Sequence, residues 1–249
     1  MNNKRISHIA ALAYRWTHRG KPVFECPLCG YSGPFKDIRP RSGLRRHARC
    51  PQCRSMERMR LQYLAIRELM NGRDFSQCSM LHFAPEQQVQ QLFRNNFDVY
   101  HTADLHRDGM DYRIDIQHMP FEDGSYDVIF ASHVLEYIRD DMAALREIHR
   151  VLKPGGIAIL PVPVIAEHTV DYPEPNPHEA GGHIRAPGED YFERYRAVFS
   201  GVRLASSSDY PDRFQTWVYD DRSSWPDTMP LRPTKSGERH CDYVPICYK

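Results

Sequence analysis

Two cysteine pairs, Cys26-Pro27-Leu28-Cys29 and Cys50-Pro51-Gln52-Cys53, constrain this chain more than any other feature. Each is a C-x-x-C turn, followed by Gly30 in one case and Arg54 in the other, and twenty residues separate the two turns. A tetrahedral metal needs four soft ligands converging from two directions, and two facing turns supply them. Four thiolates leave no open position for water or substrate, so the spacing predicts a structural zinc site and not a catalytic one. Two other chemistries use C-x-x-C. Disulfides fit poorly in a chain with seven cysteines and no secretory leader. A thioredoxin-like pair requires one motif at a helix start after a strand, not two bracketing a basic loop. A metal would hold together a segment too small for its own core, contributing on the order of 10 kcal/mol to folding.

Around these turns the charge is lopsided. Residues 1–70 carry 15 Lys/Arg against 4 Asp/Glu, and residues 71–249 carry 18 against 28, which together leave a net charge of +1. Arg39, Arg41, Arg45, Arg46, Arg49, Arg54, Arg58 and Arg60 cluster about the second cysteine pair. Guanidinium forks suit phosphate, so one reading is an anionic partner. The other is that the basic ribbon docks on its own acidic domain. A hydrophobic content of 41% indicates a globular chain, and no apolar run approaches a membrane span, which makes the cytoplasm the default location.

At 249 residues there is room for one ordinary domain and a small appendage. Ile6, Ile9, Ala10, Ala13 and Trp16 recur at helical spacing and predict a short amphipathic helix over 5–18 that packs against the zinc module. Residues 21–54 form that module. Ser55 can cap a second helix running to about Met70, with Met59, Tyr63, Ile66 and Met70 along one face, and Asn71-Gly72 stops it. The first domain is therefore 1–72 and the second 73–249. In the second, Met80–Ala84, Val99–Ala103, a weak Tyr112–Ile116, Tyr126–Ser132 and Ile157–Val162 read as strands. Helices follow Pro85 and span Asp140–Leu152, ended by Lys153-Pro154-Gly155-Gly156. This alternation predicts an α/β fold, a doubly wound Rossmann-like sheet with helices on both faces. A proline-rich stretch at 161–188 breaks the rhythm before a helix at Glu189–Phe199 and strands at Val202–Ala205 and Tyr243–Tyr248.

In such sheets ligands sit at the carboxyl ends of the strands, near the point where strand order reverses. Asp104 follows the second strand about twenty residues after the first turn, the place of an acid that accepts from a ribose diol. Asp115 and Ile116 follow the third, where a carboxylate can accept from an adenine amino group while the aliphatic side chain packs its ring. Ser132 and His133 follow the fourth. Together these placements predict a nucleotide-like ligand. Cys78, Cys241 and Cys247 lack partners at metal spacing and read as small hydrophobes.

Residues 78–205 resemble a class I S-adenosylmethionine-dependent methyltransferase of the type 11 kind. The likeness rests on Leu81-His82-Phe83-Ala84-Pro85-Glu86, Thr102-Ala103-Asp104-Leu105, Met119-Pro120-Phe121-Glu122-Asp123 and Tyr126-Asp127-Val128-Ile129-Phe130. It continues through His133-Val134-Leu135-Glu136-Tyr137-Ile138 and Leu145-Arg146-Glu147-Ile148-His149-Arg150-Val151-Leu152-Lys153-Pro154-Gly155-Gly156. The resemblance implies transfer of a sulfonium methyl to an acceptor, with Asp104, Leu105, Asp115, Ile116 and Ser132 around the cofactor. In the family's D-x-G-x-G turn the acid's place is taken here by His82, and the glycines' places by Ala84 and Glu86, which narrows the backbone's approach to the cofactor. Backbone donors near Pro85-Glu86 can receive the methionine carboxylate, and Glu86 its ammonium. His133 can face cofactor or substrate. In the proline-rich loop, where a substrate lid would lie, stand His168, Asp171, Tyr172, His178, His183 and Arg185. Of these, His183 is the expected base or acceptor-positioning group, Arg185 an anion contact and His178 a further substrate contact. Asp190 is expected to complement the next helix N-terminus.

The arrangement of ribbon and methyltransferase is also similar to a bacterial group that includes a large-subunit ribosomal RNA guanine methyltransferase. Two readings stay open. In the first the chain methylates a metabolite, a glycan or RNA, with a slight preference for the small acceptors because the acidic second domain repels a long polyanion. In the second it is a non-catalytic binding protein on a degenerate scaffold, with the ribbon as its functional surface.

Overall fold

The computed structural model of the protein describes residues 3–40, 43–176, 182–222 and 237–249. Along the chain run α1 (Asn3–Thr17), β1 (Phe24–Glu25), β2 (Ser32–Gly33), β3 (Lys36–Ile38), β4 (Leu44–Arg49), α2 (Glu57–Met70), β5 (Ser79–Phe83), α3 (Gln87–Phe93) and β6 (Val99–Ala103). They are followed by β7 (Tyr126–Ala131), α4 (Asp141–Val151), β8 (Leu152–Ile159), β9 (Val170–Asp171), β10 (Arg185–Ala186), α5 (Phe192–Arg196), β11 (Gly201–Ser206), β12 (Asp220–Asp221) and β13 (Tyr243–Tyr248).

These elements form two compact units, and the division is not the one the sequence suggests. Residues 206–222 and 237–242, expected in the second domain, return to the first, while 243–249 stay with the second. In the first unit β12 adds to β4 antiparallel, pairing Asp220 with Arg45 and Asp221 with Leu44, and β4 pairs β3 on its other edge. Gly43 permits that addition: its φ is +97°, and a Cβ there would lie 2.0 Å from the Asp221 carbonyl oxygen. Helix α1 forms where expected, but its inward face is Ala11 with half-buried Tyr14 and His18, which stack at 3.9 Å. Ile9, Leu12 and Trp16, 60%, 49% and 66% exposed, lie on the opposite side. The expected packing of the Ile9–Trp16 stripe on the zinc module is therefore corrected.

The second unit is built on a six-stranded sheet of order β11-β13-β8-β7-β5-β6. Strands β6, β5, β7 and β8 are parallel, and β13 is antiparallel to β8. Apolar runs such as Tyr126–Ala131 suit strands covered on both faces. Helix α4 packs Ala144, Leu145, Ile148 and Val151 inward and is capped by Asp140, which accepts from the Ala143 N–H at 2.8 Å. The Lys153-Pro154-Gly155-Gly156 turn is absorbed as a register shift inside β8, which pairs Tyr126 with Leu152 but Val128 with Ile157. The weak strand at Tyr112–Ile116 is reduced to one parallel bridge, Ala103 with Tyr112. Beside it the Asp111 carboxylate takes the Thr102 N–H and hydroxyl, both at 2.7 Å, so a side chain caps part of the edge of β6 that a strand would pair. Strand order reverses between β5 and β7, which puts the ligand crevice of an open sheet at their carboxyl ends. Among the described residues no helix is long and apolar enough to cross a membrane.

Candidate functional sites

In the first unit the two cysteine turns repeat one hydrogen-bond pattern. The Gly30 N–H donates to the Cys26 carbonyl at 2.9 Å and the Cys26 N–H to the Tyr31 carbonyl at 2.8 Å. In the second turn the Arg54 N–H donates to the Cys50 carbonyl at 3.0 Å and the Cys50 N–H to the Ser55 carbonyl at 2.9 Å. Gly30 and Arg54 both take left-handed φ, 72° and 65°. The four sulfurs lie within 4.8 Å of one another, and none is in a disulfide. Cys26 and Cys53 are 3.5 Å apart and Cys29 and Cys50 3.7 Å. Zinc–thiolate bonds of about 2.3 Å set a tetrahedral edge of about 3.8 Å, so this donor set fits the ion. The neighbouring Cys26 sulfur pushes the Cys29 and Cys50 thiols far above their ordinary range, a penalty that a divalent cation among thiolates removes.

Behind the cysteines lies Arg60, which is fully buried and stacks 4.5 Å over Phe35. Its guanidinium donates to the Ser55 carbonyl at 2.8 Å and, from Nε and Nη2, to the Gln215 carbonyl at 2.9 and 2.7 Å. Ser55 Oγ is 3.3 Å from Cys26 Sγ. Arg45 is likewise spent internally, on Glu57 and on Asp220 at 3.1 Å. Two of the eight clustered arginines thus serve the fold of the unit.

In the second unit the strand ends gather some of the expected residues and disperse others. Ala84, directly after β5, and His133, two residues after β7, hold left-handed φ of 46° and 55°. Non-glycine residues reach that region at a cost of about 1 kcal/mol, and such strain concentrates at sites. The Ala84 N–H donates to the Ala103 carbonyl at 2.8 Å and the His133 N–H to the Pro161 carbonyl at 2.8 Å. Asp104 ends β6. Its Oδ1 accepts the His106 and Arg107 N–H groups, both at 2.9 Å, and Oδ2 faces no hydrogen-bond partner among the described residues. Arg107 reaches back to the Pro85 carbonyl at 3.2 Å, joining the acid's loop to the first turn. Glu86 begins α3 in an extended conformation without capping it through its side chain. Leu105 is exposed, Ser132 buried. Asp115 is engaged with Gln117, through its N–H at 2.9 Å and its side-chain amide, and Ile116 belongs to the core.

Two expectations need correction. His82 is 1% exposed, among Phe93, Tyr100 and Phe130, and its Nδ1 lies 2.8 Å from the Tyr100 hydroxyl. Burial, with the Arg107 charge adding, depresses its pKa to about 3, so it is a neutral core residue and not a cofactor contact. Arg185, expected as an anion contact, is 3% exposed and fully committed. It pairs with Asp171 through Nε, donates from Nη1 to the Leu135 and Ile138 carbonyls, both at 3.0 Å, and lies 3.3 Å from Asp141. It clamps the segment after β7. Asp190 stands in the first turn of the helical segment that opens at Glu189, as expected, and also accepts the Thr169 N–H and hydroxyl, both at 2.8 Å. The described parts of the stretch at 161–188 are accordingly tied by the β9–β10 pair and these ions. His183 stands 3.0 Å from the Tyr137 hydroxyl, and His178 lies outside the described residues. Of the other cysteines, Cys247 is buried, with Cys78 and Cys241 half-buried.

Sequence reasoning missed Glu136. It is fully buried, with Oε1 3.2 Å from His133 Nδ1. Its signal was the i,i+3 spacing inside the His133-Val134-Leu135-Glu136 run, which shares one face of a single helical turn.

The parallel strands with a reversal at β5 and β7, an antiparallel β13 and an acid ending β6 define a class I methyltransferase fold for the second unit. Residues 80–160 match the family described as a methyltransferase domain. A crystal structure of an S-adenosylmethionine-dependent methyltransferase from Mesorhizobium loti superposes with a TM-score of 0.52 at 12% identity, covering 76% of this chain and 98% of that one. A demethylmenaquinone methyltransferase of Staphylococcus epidermidis is 42% identical over 45 residues, 18% of this chain and 19% of its own. A sterol 4-C-methyltransferase of Caenorhabditis elegans is 52% identical over 42 residues, 17% of this chain and 13% of its own. The chain thus spans under a fifth of the length of these curated relatives.

Proposed function

We propose that the protein is an S-adenosylmethionine-dependent methyltransferase acting on a small molecule or a glycan, with a zinc ion structuring its first unit. The observation that carries this reading is Asp104, an acid at the end of β6 with one oxygen tied to backbone donors and the other available beside the reversal in strand order. The residues present fit the cofactor: Asp104 for the ribose diol, Leu105 and Asp115 toward the adenine, and the turn at Ala84–Glu86 with the uncapped start of α3 for the methionine end. When bound, the cofactor supplies an electrophilic methyl group. Transfer then depends chiefly on holding the acceptor in line, and Tyr137 of the turn after β7, hydrogen-bonded to His183, offers a wall for that purpose. Cys26, Cys29, Cys50 and Cys53 would hold zinc as a closed set, so the metal builds the first unit and takes no part in the transfer.

A small acceptor is supported by the acidic balance of residues 71–249 and by the inward use of Arg45 and Arg60. Titration calorimetry of the zinc-loaded protein with S-adenosylmethionine and S-adenosylhomocysteine tests the reading. Micromolar binding that weakens roughly 10- to 100-fold in Asp104→Ala is expected, since a charge-assisted pair of hydrogen bonds is lost. Absence of binding up to millimolar cofactor returns the chain to the non-catalytic reading. RNA binding that falls steeply with salt would replace the small acceptor by RNA.

A further inference from the structure

We infer that Glu136 and His133 act as a buried acid–imidazole pair that removes a proton from the methyl acceptor, so that the acceptor is a hydroxyl or an amine. This rests on the methyltransferase reading above. His133 stands just past the end of β7, beside the reversal in strand order, in a left-handed conformation fixed by its N–H bond to the Pro161 carbonyl. Its Nδ1 is 3.2 Å from Glu136 Oε1. Glu136 is fully buried, and neither of its oxygens has a hydrogen-bond partner among the described residues; the His133 ring, 3.2 Å away, meets it as an ion-pair contact that a small rotation would turn into a hydrogen bond. A carboxylate held out of water without donors is costly unless a cation forms beside it. His133 is the group this geometry sets beside it, and the cation forms there only as the ring takes up the acceptor's proton.

The other groups packed around Glu136 are already spent. Arg185 of β10 serves Asp141, Asp171 and the carbonyls of Leu135 and Ile138. Tyr195 of α5 donates to the Leu160 carbonyl at 2.9 Å. Tyr137 holds His183. The Ile184 N–H fixes the Glu136 carbonyl at 3.1 Å, so the acid sits on a clamped turn and not on a free loop. With Nδ1 turned to the buried acid, Nε2 is the nitrogen left on a ring whose side chain is 22% exposed. In the reaction the acceptor lone pair forms the bond to the methyl carbon as the carbon–sulfur bond breaks, its electron pair returning to sulfur. The acceptor proton moves to Nε2 and then to solvent. Glu136 is a positioning residue: it selects the tautomer with its proton on Nδ1 and leaves Nε2 bare to accept.

Long-range nitrogen–proton NMR of the zinc-loaded full chain, with no ligand added and the ring neutral, tests the pair directly. The proton of His133 is expected on Nδ1. In Glu136→Met, which keeps the volume and removes a buried charge, the Nδ1-to-Nε2 ratio should fall roughly tenfold or more. Glu136→Asp should restore it. A ratio unchanged in Glu136→Met overturns the pair, whatever the cofactor titration gives. Failure of S-adenosylmethionine to bind the unaltered protein instead overturns the methyltransferase reading, and the two failures are read in separate experiments. With labelled cofactor and a panel of hydroxyl, amine and thiol acceptors, label should reach oxygen or nitrogen and fall about a hundredfold in Glu136→Met. Label on sulfur or carbon overturns the proton-removal role.

Discussion

Between Cys26 and Cys53 the first unit carries its four-cysteine cluster in one short stretch of chain, on two turns of matching hydrogen bonding. The second unit would assemble its proposed site from the ends of β5, β6 and β7, from a turn that follows β7, and from a clamp that arrives with β10. The first kind of site is specified by spacing, because each ligand turn closes on itself. The second is specified by topology: which residue faces the crevice depends on strand order, on the face each side chain takes and on partners far along the chain. A chelate can be read one turn at a time; a crevice cannot.

The contrast is broken or sharpened most forcefully by removing metal. Chelation, or Cys50→Ser, should abolish zinc content and melt the first unit, a loss on the order of 10 kcal/mol, while the second unit keeps its own cooperative transition by circular dichroism. Loss of both transitions together would erase the distinction. Next in size is acid. His82 is neutral in the fold and takes a proton at about 6.5 when unfolded, so its contribution is full above that pH and is lost as pH falls toward about 3. The effect is at most on the order of 4 kcal/mol, and urea titrations across that range should show a shallower acid slope in His82→Phe. Arg185→Met comes third. It removes the donor from three backbone carbonyls around the turn after β7, while Asp171 keeps Arg194, and should lower the urea midpoint of the second unit by the equivalent of about 3 kcal/mol with an unchanged slope. The smallest is Ala84→Gly, which relieves a left-handed alanine and should raise stability by about 1 kcal/mol.

What could be read from the chain follows the same division. The cysteine cluster, the capped helix at Asp141–Val151 and the apolar β7 were legible because each is decided within a few residues. The third strand was not, because Asp111 competes for the donors of Thr102 that a strand would pair. His82 and Arg185 looked like site residues because polar side chains near strand ends and in loops usually are. Tyr100 and the carbonyls of Leu135 and Ile138, which satisfy them, are visible only once the sheet has formed. In helix α1 periodicity favoured the stripe of Ile9 and Trp16, while packing uses the face centred on Ala11. Glu136 was in plain view within a quoted motif, yet its isolation from donors is a property of burial.

The return of residues 206–222 and 237–242 to the first unit has a bearing on how the protein is made. The ribbon's cysteines leave the ribosome early, but the carbonyl that Arg60 binds lies 155 positions later. At ordinary elongation rates, roughly 10 residues per second, that interval lasts on the order of 15 s. During it the second unit can gather its parallel strands while the first, though begun earlier, stays open along β4 and around the Arg60 side chain. The part of the molecule that starts first is therefore among the last to close, and zinc captured during synthesis would hold an unfinished module in register until its final strand arrives.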